Sequence, residues 1–123
     1  MDSATQITDD IKAFARSSSS NRMPASESEY IFDEPLVQFI NGDDDIFTEY
    51  KDIIDTFHLT PREALTKAYD EKTDNIPDNI TVISWILPIT EKTRKSNRKE
   101  TRLPSRLWSH TRWFGEIFND AIR

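Results

Sequence analysis

Residues 79–112 read NITVISWILPITEKTRKSNRKETRLPSRLWSHTR and join the most apolar run of the chain to its only strongly basic stretch. The apolar run, residues 80–87, has the length and the β-branched content of a strand buried on both faces. The basic stretch contains one acid, Glu100, and eight cations: Lys92, Arg94, Lys95, Arg98, Lys99, Arg102, Arg106 and Arg112. Open α/β sheets bind ligands at the carboxyl ends of their strands, so the sequence predicts anion or partner binding by these eight residues.

The charges of this 123-residue chain are segregated along its length. Residues 1–91 contain nineteen acids and seven bases, whereas residues 92–123 contain nine bases and three acids. This asymmetry favours one local anion-binding surface over a protein that is basic throughout. The length predicts a single domain with one packed core.

The chain has no cysteine, which excludes disulfides, thiolate nucleophiles, zinc–thiolate sites and cysteine ligation of iron–sulfur clusters by these residues. No run approaches eighteen apolar residues, and the first residues lack the basic and apolar regions of a signal peptide. The sequence therefore predicts a cytoplasmic protein with no membrane partner.

Apolar periodicity predicts an α+β fold in which helices pack on a small mixed or parallel sheet. The clearest local signal is Thr60-Pro61-Arg62-Glu63, a capping box that begins a helix. The order strand, helix, helix, strand suggests a crossover that would make the two strands parallel. The predicted helices lie near residues 5–17, 43–56, 60–72 and 104–122, and the predicted strands near 36–40 and 80–87.

Residues 18–29 follow the first predicted helix and are polar and rich in serine. Serine side chains offer the backbone local hydrogen bonds that compete with regular structure. We expect an exposed, mobile loop here.

Several other residue groups are weaker candidates for a site. Residues 43–45 are three consecutive aspartates, which favours a helix cap over a cation site because a calcium loop needs ligands spread over about twelve residues. His58 and His110 have no second ligand at a spacing that metal sites use, so we predict no metal site. Trp85 could stack on a flat ligand, although a core role is favoured. With two glycines there is no phosphate-binding loop, and we predict no catalytic constellation.

The basic stretch supports two interpretations. Its cations lie near Trp108, His110 and Trp113 in sequence, and RNA-binding proteins combine phosphate contacts with aromatic stacking in this way. The alternative is a solvated loop that balances the acidic remainder of the chain.

Longer runs of the sequence resemble a known family. The matching runs include residues 32–37, 57–63, 84–88 and 93–98, which read FDEPLV, FHLTPRE, SWILP and TRKSNR. They resemble the amino-terminal region of iron–sulfur proteins of the epoxyqueuosine-reductase-like group. The resemblance implies an oxidoreductase whose α+β region precedes a ferredoxin-type domain with two 4Fe–4S clusters. In epoxyqueuosine reductase and the related reductive dehalogenases, the corresponding region helps to bind a corrinoid.

The chain departs from that pattern because it has no cluster cysteines and ends where the ferredoxin-type part would begin. The expected function is therefore that of an amino-terminal domain or truncated relative of such a reductase, not redox-competent alone and without a cofactor of its own. Its expected partners are the missing ferredoxin-type domain or a second copy of the chain. The alternative function is a free-standing module that binds RNA or another anion through residues 92–112.

Overall fold

The computed structural model describes residues 2–69 and 76–123, and within them the predicted α+β class is confirmed. The strands pair as two antiparallel two-stranded sheets, Arg22–Met23 with Ser26–Tyr30 and Leu36–Asn41 with Thr81–Ile86. None of the described helices is both long and apolar enough to span a bilayer. In chain order the elements are α1 (Ser3–Ser17), a 3-10 turn (Ser19–Asn21), β1 (Arg22–Met23), β2 (Ser26–Tyr30), β3 (Leu36–Asn41), α2 (Ile46–Ile53), α3 (Pro61–Ala68), β4 (Thr81–Ile86), α4 (Glu91–Arg98) and α5 (Arg106–Ile122).

Two predictions about β3 and β4 are wrong. The Gly42 amide, just after β3, donates to the Ile80 carbonyl, just before β4, at 2.7 Å, so the end of β3 lies beside the start of β4. The connection through α2 and α3 therefore returns the chain to the edge it left, and the strands are antiparallel rather than parallel. In addition, β4 is not buried on both faces, since Ile86 is 61% exposed and only Val82 and Trp85 are half-buried.

The chain divides into two compact units, and the division falls within both β3 and β4. Unit 1 comprises Met1–Val37 and Trp85–Arg123, and unit 2 comprises Gln38–Ser84. Each unit is described by itself below. The expectation of a single domain stays a prediction.

The core of unit 1 forms where α5 packs against the 3-10 turn and β1. Phe118 and Ile31 are fully buried, and the Phe118 ring is stacked on that of Phe14 at a centroid distance of 5.9 Å. Phe118 lies on the inner face of α5, within the helix predicted near residues 104–122. Gly115 lies one turn earlier, where a Cβ atom would approach Phe32 Cζ to 2.6 Å. Its lack of a side chain lets the Phe32 ring lie directly on α5.

The expected loop at residues 18–29 is instead built from the 3-10 turn and the β1–β2 hairpin, in which Asn21 and Met23 are buried. Arg22 Nη2 donates to the Arg16 carbonyl at 2.6 Å, and its guanidinium lies 3.7 Å from the centroid of the Tyr30 ring. The Arg16 carbonyl, at the end of α1, thus receives a hydrogen bond that no residue of the helix supplies. Contacts of the Arg22 side chain with the end of α1 and with Tyr30 order this segment despite its serine-rich composition.

Within unit 2, the Arg62 side chain joins residues that are distant in sequence through polar contacts. Arg62 donates to both carboxylate oxygens of Asp43 at 2.8 and 2.7 Å, and to the Asp78 carbonyl at 2.9 Å. These contacts lower the pKa of Asp43 and raise that of Arg62. Asp44 Oδ1 also accepts from the Ile46 amide at 2.9 Å, so Asp43 and Asp44 both make structural contacts. Asp45 is the N-cap residue of α2, but its side chain makes no capping hydrogen bond.

Both helices predicted in unit 2 are present, and the predicted start signal of α3 is confirmed, but the length of α2 differs from the prediction. Thr60 and Glu63 form the predicted capping box at the start of α3. Helix α2 is shorter than the predicted 43–56, and residues 70–72 of the helix predicted over 60–72 lie outside the described residues. Helix α4, in the basic stretch, was not predicted.

We expect the Glu63 carboxylate to titrate near pH 2. The Lys51 ammonium, 2.9 Å away, and the capping hydrogen bonds from Thr60 lower its pKa from 4.5 to about 2. A lowered folded-state pKa gives stability that is complete above pH 4.5 and is lost as the pH falls towards 2. Carboxyl-carbon NMR titration measures this pKa directly. Lys51→Met should raise it towards 4.5, and Glu63→Gln should reduce the pH dependence of unfolding in that window; an unchanged pKa in Lys51→Met would contradict the assignment.

Candidate nucleic-acid interface

Helix α4 carries the first half of the basic stretch, and Thr90 begins it by accepting a hydrogen bond from the Thr93 amide at 3.3 Å. Only Thr93 is buried in this helix, with Ser96 and Asn97 half-buried beside it. Because this inner face is polar, apolar periodicity could not reveal the helix. The N-cap Thr90 followed by Glu91 was the available signal.

The turn between α4 and α5 is fixed at its base by polar side chains. Asn97 Oδ1 accepts from the Ser105 amide at 2.9 Å, and the hydroxyls of Ser96 and Ser105 lie 2.7 Å apart. Ser105 is also the N-cap of α5 and accepts from the Trp108 amide at 3.1 Å. The exposed residues 99–104 are therefore held at both ends.

Three of the eight predicted cations are engaged in ion pairs. Lys92 pairs with Glu29, while Arg94 and Arg98 lie 2.7 and 3.4 Å from the carboxylate of Glu91. The hydrogen bond from Arg94 is the main cause that lowers the pKa of Glu91. Glu91 consequently stays ionised at neutral pH and competes with any ligand for these two arginines.

Four other cations are exposed and form no ion pair with any described residue: Lys95, Lys99, Arg102 and Arg106. They occupy the end of α4, the turn and the first residue of α5. We call these four residues the cationic surface. Half of the predicted set is therefore exposed and without an ion pair among the described residues, within twelve consecutive residues of the chain.

Arg112 is separated from the cationic surface along α5. It lies six residues after Arg106, which corresponds to about 9 Å along the helix, and it lines a cleft with Phe32 and Trp85. Sequence reasoning grouped Arg112 with the other cations because it could not show which face of α5 each one occupies.

One aromatic side chain lies on the same exposed face of α5 as Arg106. Trp113 is 72% exposed, whereas Trp108 is half-buried. Arg106, Ser109 and Trp113 follow the spacing i, i+3, i+7, which places them along one face of a helix. Trp113 lies about 10 Å after Arg106 along this face, and an exposed ring there could stack on an unpaired base of a strand that binds the cations.

The two histidines make aromatic contacts. His58 lies edge-on to Tyr50 at 6.0 Å and His110 edge-on to Phe114 at 5.7 Å, measured between ring centroids. Within residues 2–69 and 76–123, no group of three or more potential ligands is placed to hold a metal ion.

Comparison with protein-family models, with curated proteins and with solved structures finds no match to this chain. The resemblance to the amino-terminal region of iron–sulfur reductases accordingly stays a prediction.

Proposed function

We propose that unit 1 binds single-stranded RNA through the cationic surface. The observation that carries this proposal is the group of four exposed cations that form no ion pair with a described residue. They lie in and beside a turn that the Asn97–Ser105 contact fixes. Cations that are not engaged within the protein can replace the counterions of a phosphate backbone, and the release of those counterions drives binding. A turn held at both ends loses little conformational entropy when it binds.

Trp113 favours a single strand over a duplex. Its exposed indole lies on the face of α5 that begins with Arg106, so bases next to a bound phosphate could stack on it. Bases of a duplex are already stacked and cannot use such a ring without unpairing. The combination of cations and one aromatic platform is typical of binding with little sequence preference.

We expect labelled oligouridine of about 15 nucleotides, a length near the upper site size of a small single-strand-binding domain, to bind with an affinity that falls with salt. Fluorescence anisotropy over a series of KCl concentrations measures the slope of log K against log salt. Each phosphate contact to a single strand contributes about 0.7 to that slope. Replacing Lys95, Lys99, Arg102 and Arg106 with Gln should therefore weaken binding at least tenfold and reduce the slope by roughly 2 to 3.

A control with the same change in net charge removes four cations elsewhere, at Lys12, Arg16, Lys67 and Arg123. Lys12, Arg16 and Arg123 are in ion pairs, and this variant should change the slope by less than about 1. Trp113→Ala should weaken binding about fivefold to a hundredfold through lost stacking and leave the slope unchanged. Equal loss in both charge variants would overturn the proposal. Competition by polyglutamate as strong as that by RNA of equal charge would also overturn it, because the surface would then be suited to an acidic protein.

The resemblance offers a second candidate function, as part of a longer reductase. The observation that favours it is the exposed apolar flank of α5, where Ile117 is 53% exposed one turn after Trp113. A ferredoxin-type domain could cover that flank. The chain supplies no cysteine ligand for a cluster, so the redox chemistry would belong to that other domain.

A further inference from the structure

Unit 1 contains a cleft of about 300 Å³ beside α5 that the cationic surface does not use. Its apolar wall consists of Phe32, Trp85, Leu87 and Ile89. The Trp85 indole is fixed in this wall, because its Nε1 donates to Asn119 Oδ1 at 2.9 Å. The cleft is therefore preformed and has two aromatic rings on its apolar side.

The polar side of the cleft carries two opposite charges one helical turn apart. Arg112 and Glu116 both line it, both are exposed, and neither forms an ion pair with the other or with any other described residue. Thr111 lines the same side, and its buried hydroxyl has no hydrogen-bond partner among the described residues. This side of the cleft therefore carries two charged groups and one hydroxyl that no described residue pairs with.

We propose that this cleft binds a small zwitterion with an apolar body, of the chemical class of an aromatic α-amino acid. The carboxylate would pair with Arg112, whose planar guanidinium suits bidentate recognition. The ammonium group would pair with Glu116, and the ring would pack between Phe32 and Trp85. The volume lies at the lower end of ligand sites, which suits a molecule of this size and is too small for a dinucleotide.

Three probes with the same phenyl ring test the two charges separately. L-phenylalanine has both charges, 3-phenylpropionate lacks the ammonium group, and 2-phenylethylamine lacks the carboxylate. The indole N–H signal of Trp85 in a ¹⁵N–¹H spectrum reports binding at the cleft, with each probe titrated to roughly 10 mM, a range that covers millimolar dissociation constants. We expect L-phenylalanine to bind at least tenfold more tightly than either of the others.

The variants assign each charge to its partner. Arg112→Gln should weaken L-phenylalanine and 3-phenylpropionate at least tenfold and leave 2-phenylethylamine unchanged, and Glu116→Gln should weaken L-phenylalanine and 2-phenylethylamine but not 3-phenylpropionate. Arg106→Gln, a change in the cationic surface, should leave all three unchanged, so this result is independent of RNA binding. No shift of the Trp85 signal with L-phenylalanine, or equal binding of the three probes, would overturn the proposal.

Discussion

Phe118→Ala is expected to destabilise unit 1 by about 3–5 kcal/mol, the range measured for truncation of a buried phenylalanine. Phe118 is fully buried, stacked on Phe14 and 6.2 Å from the ring centroid of Phe32. Removal of the ring loses its transfer free energy and leaves a cavity between α1 and α5, which both belong to unit 1. A loss of about 4 kcal/mol lowers the folding equilibrium constant roughly a thousandfold, which is a large share of the stability of an ordinary domain.

Tryptophan fluorescence measures this effect in unit 1 alone. All three tryptophans, Trp85, Trp108 and Trp113, lie in unit 1. Urea unfolding followed at this signal, with linear extrapolation, gives the free energy of unfolding of that unit. The measurement does not require both units to unfold in one step.

The matched control is Ile117→Ala, which shortens an exposed apolar side chain next to Phe118 in the same helix. We expect a change within about 0.5 kcal/mol, as is usual for exposed positions. A loss below about 1 kcal/mol in Phe118→Ala, or a loss in Ile117→Ala as large as that in Phe118→Ala, would contradict this description of the core.

The elements that sequence predicted well are those whose signal is local. The capping box at Thr60 and Glu63 involves four consecutive residues, and the apolar stripe of α5 repeats within one helix. The position of a helix in the sequence, and the face that it buries, both follow from such short-range patterns. Strand pairing does not, and the antiparallel contact of Gly42 with Ile80 depends on the path of the chain between them.

Helix α4 illustrates a different limit. Its inner face is made of Thr93, Ser96 and Asn97, which bury polar groups through hydrogen bonds rather than apolar surface. Threonine, serine and asparagine are also common in solvated loops, so composition does not distinguish this helix from a loop. The tertiary structure does distinguish them, because Ser96 and Asn97 are both hydrogen-bonded to Ser105.

The candidate site could be predicted only as a list of charges. Composition identified all eight cations, but Lys92 is neutralised by Glu29, which lies 63 residues away. Contacts over such separations follow from the tertiary structure alone. For the same reason, the combination of Arg112 with Trp85 and Phe32 in one cleft was beyond sequence reasoning.

Asn21→Ala is expected to destabilise unit 1 by about 3 kcal/mol, because it leaves several buried polar groups unpaired. Composition alone suggests that this residue lies in a loop. Asn21 is 1% exposed. Its Nδ2 donates to the carbonyls of Ala15 at 3.0 Å and Phe32 at 3.3 Å, and its Oδ1 accepts from the Phe32 amide at 3.0 Å. One side chain thus pairs the backbone of residue 32 as a neighbouring strand would, and also caps a carbonyl at the end of α1.

The substitution removes the hydrogen-bond partner of the Ala15 carbonyl and of the Phe32 carbonyl and amide. These groups lie at a buried position, where water does not readily replace the lost partner. Each buried group left unpaired costs about 1–3 kcal/mol, and relaxation of the backbone recovers part of the sum. Asn97→Ala is the matched control, because Asn97 accepts a single hydrogen bond in a half-buried position; about 1 kcal/mol is expected there.

Amide hydrogen exchange separates this mechanism from simple loss of packing. The Phe32 amide is bonded to the Asn21 side chain, whereas the Ile31 amide is bonded to the Asn21 backbone carbonyl at 3.1 Å, a group that alanine retains. In Asn21→Ala, protection at Phe32 should fall further than protection at Ile31. Equal loss at both amides would mean that the whole segment opens together, and the side-chain hydrogen bonds would then not be what orders it.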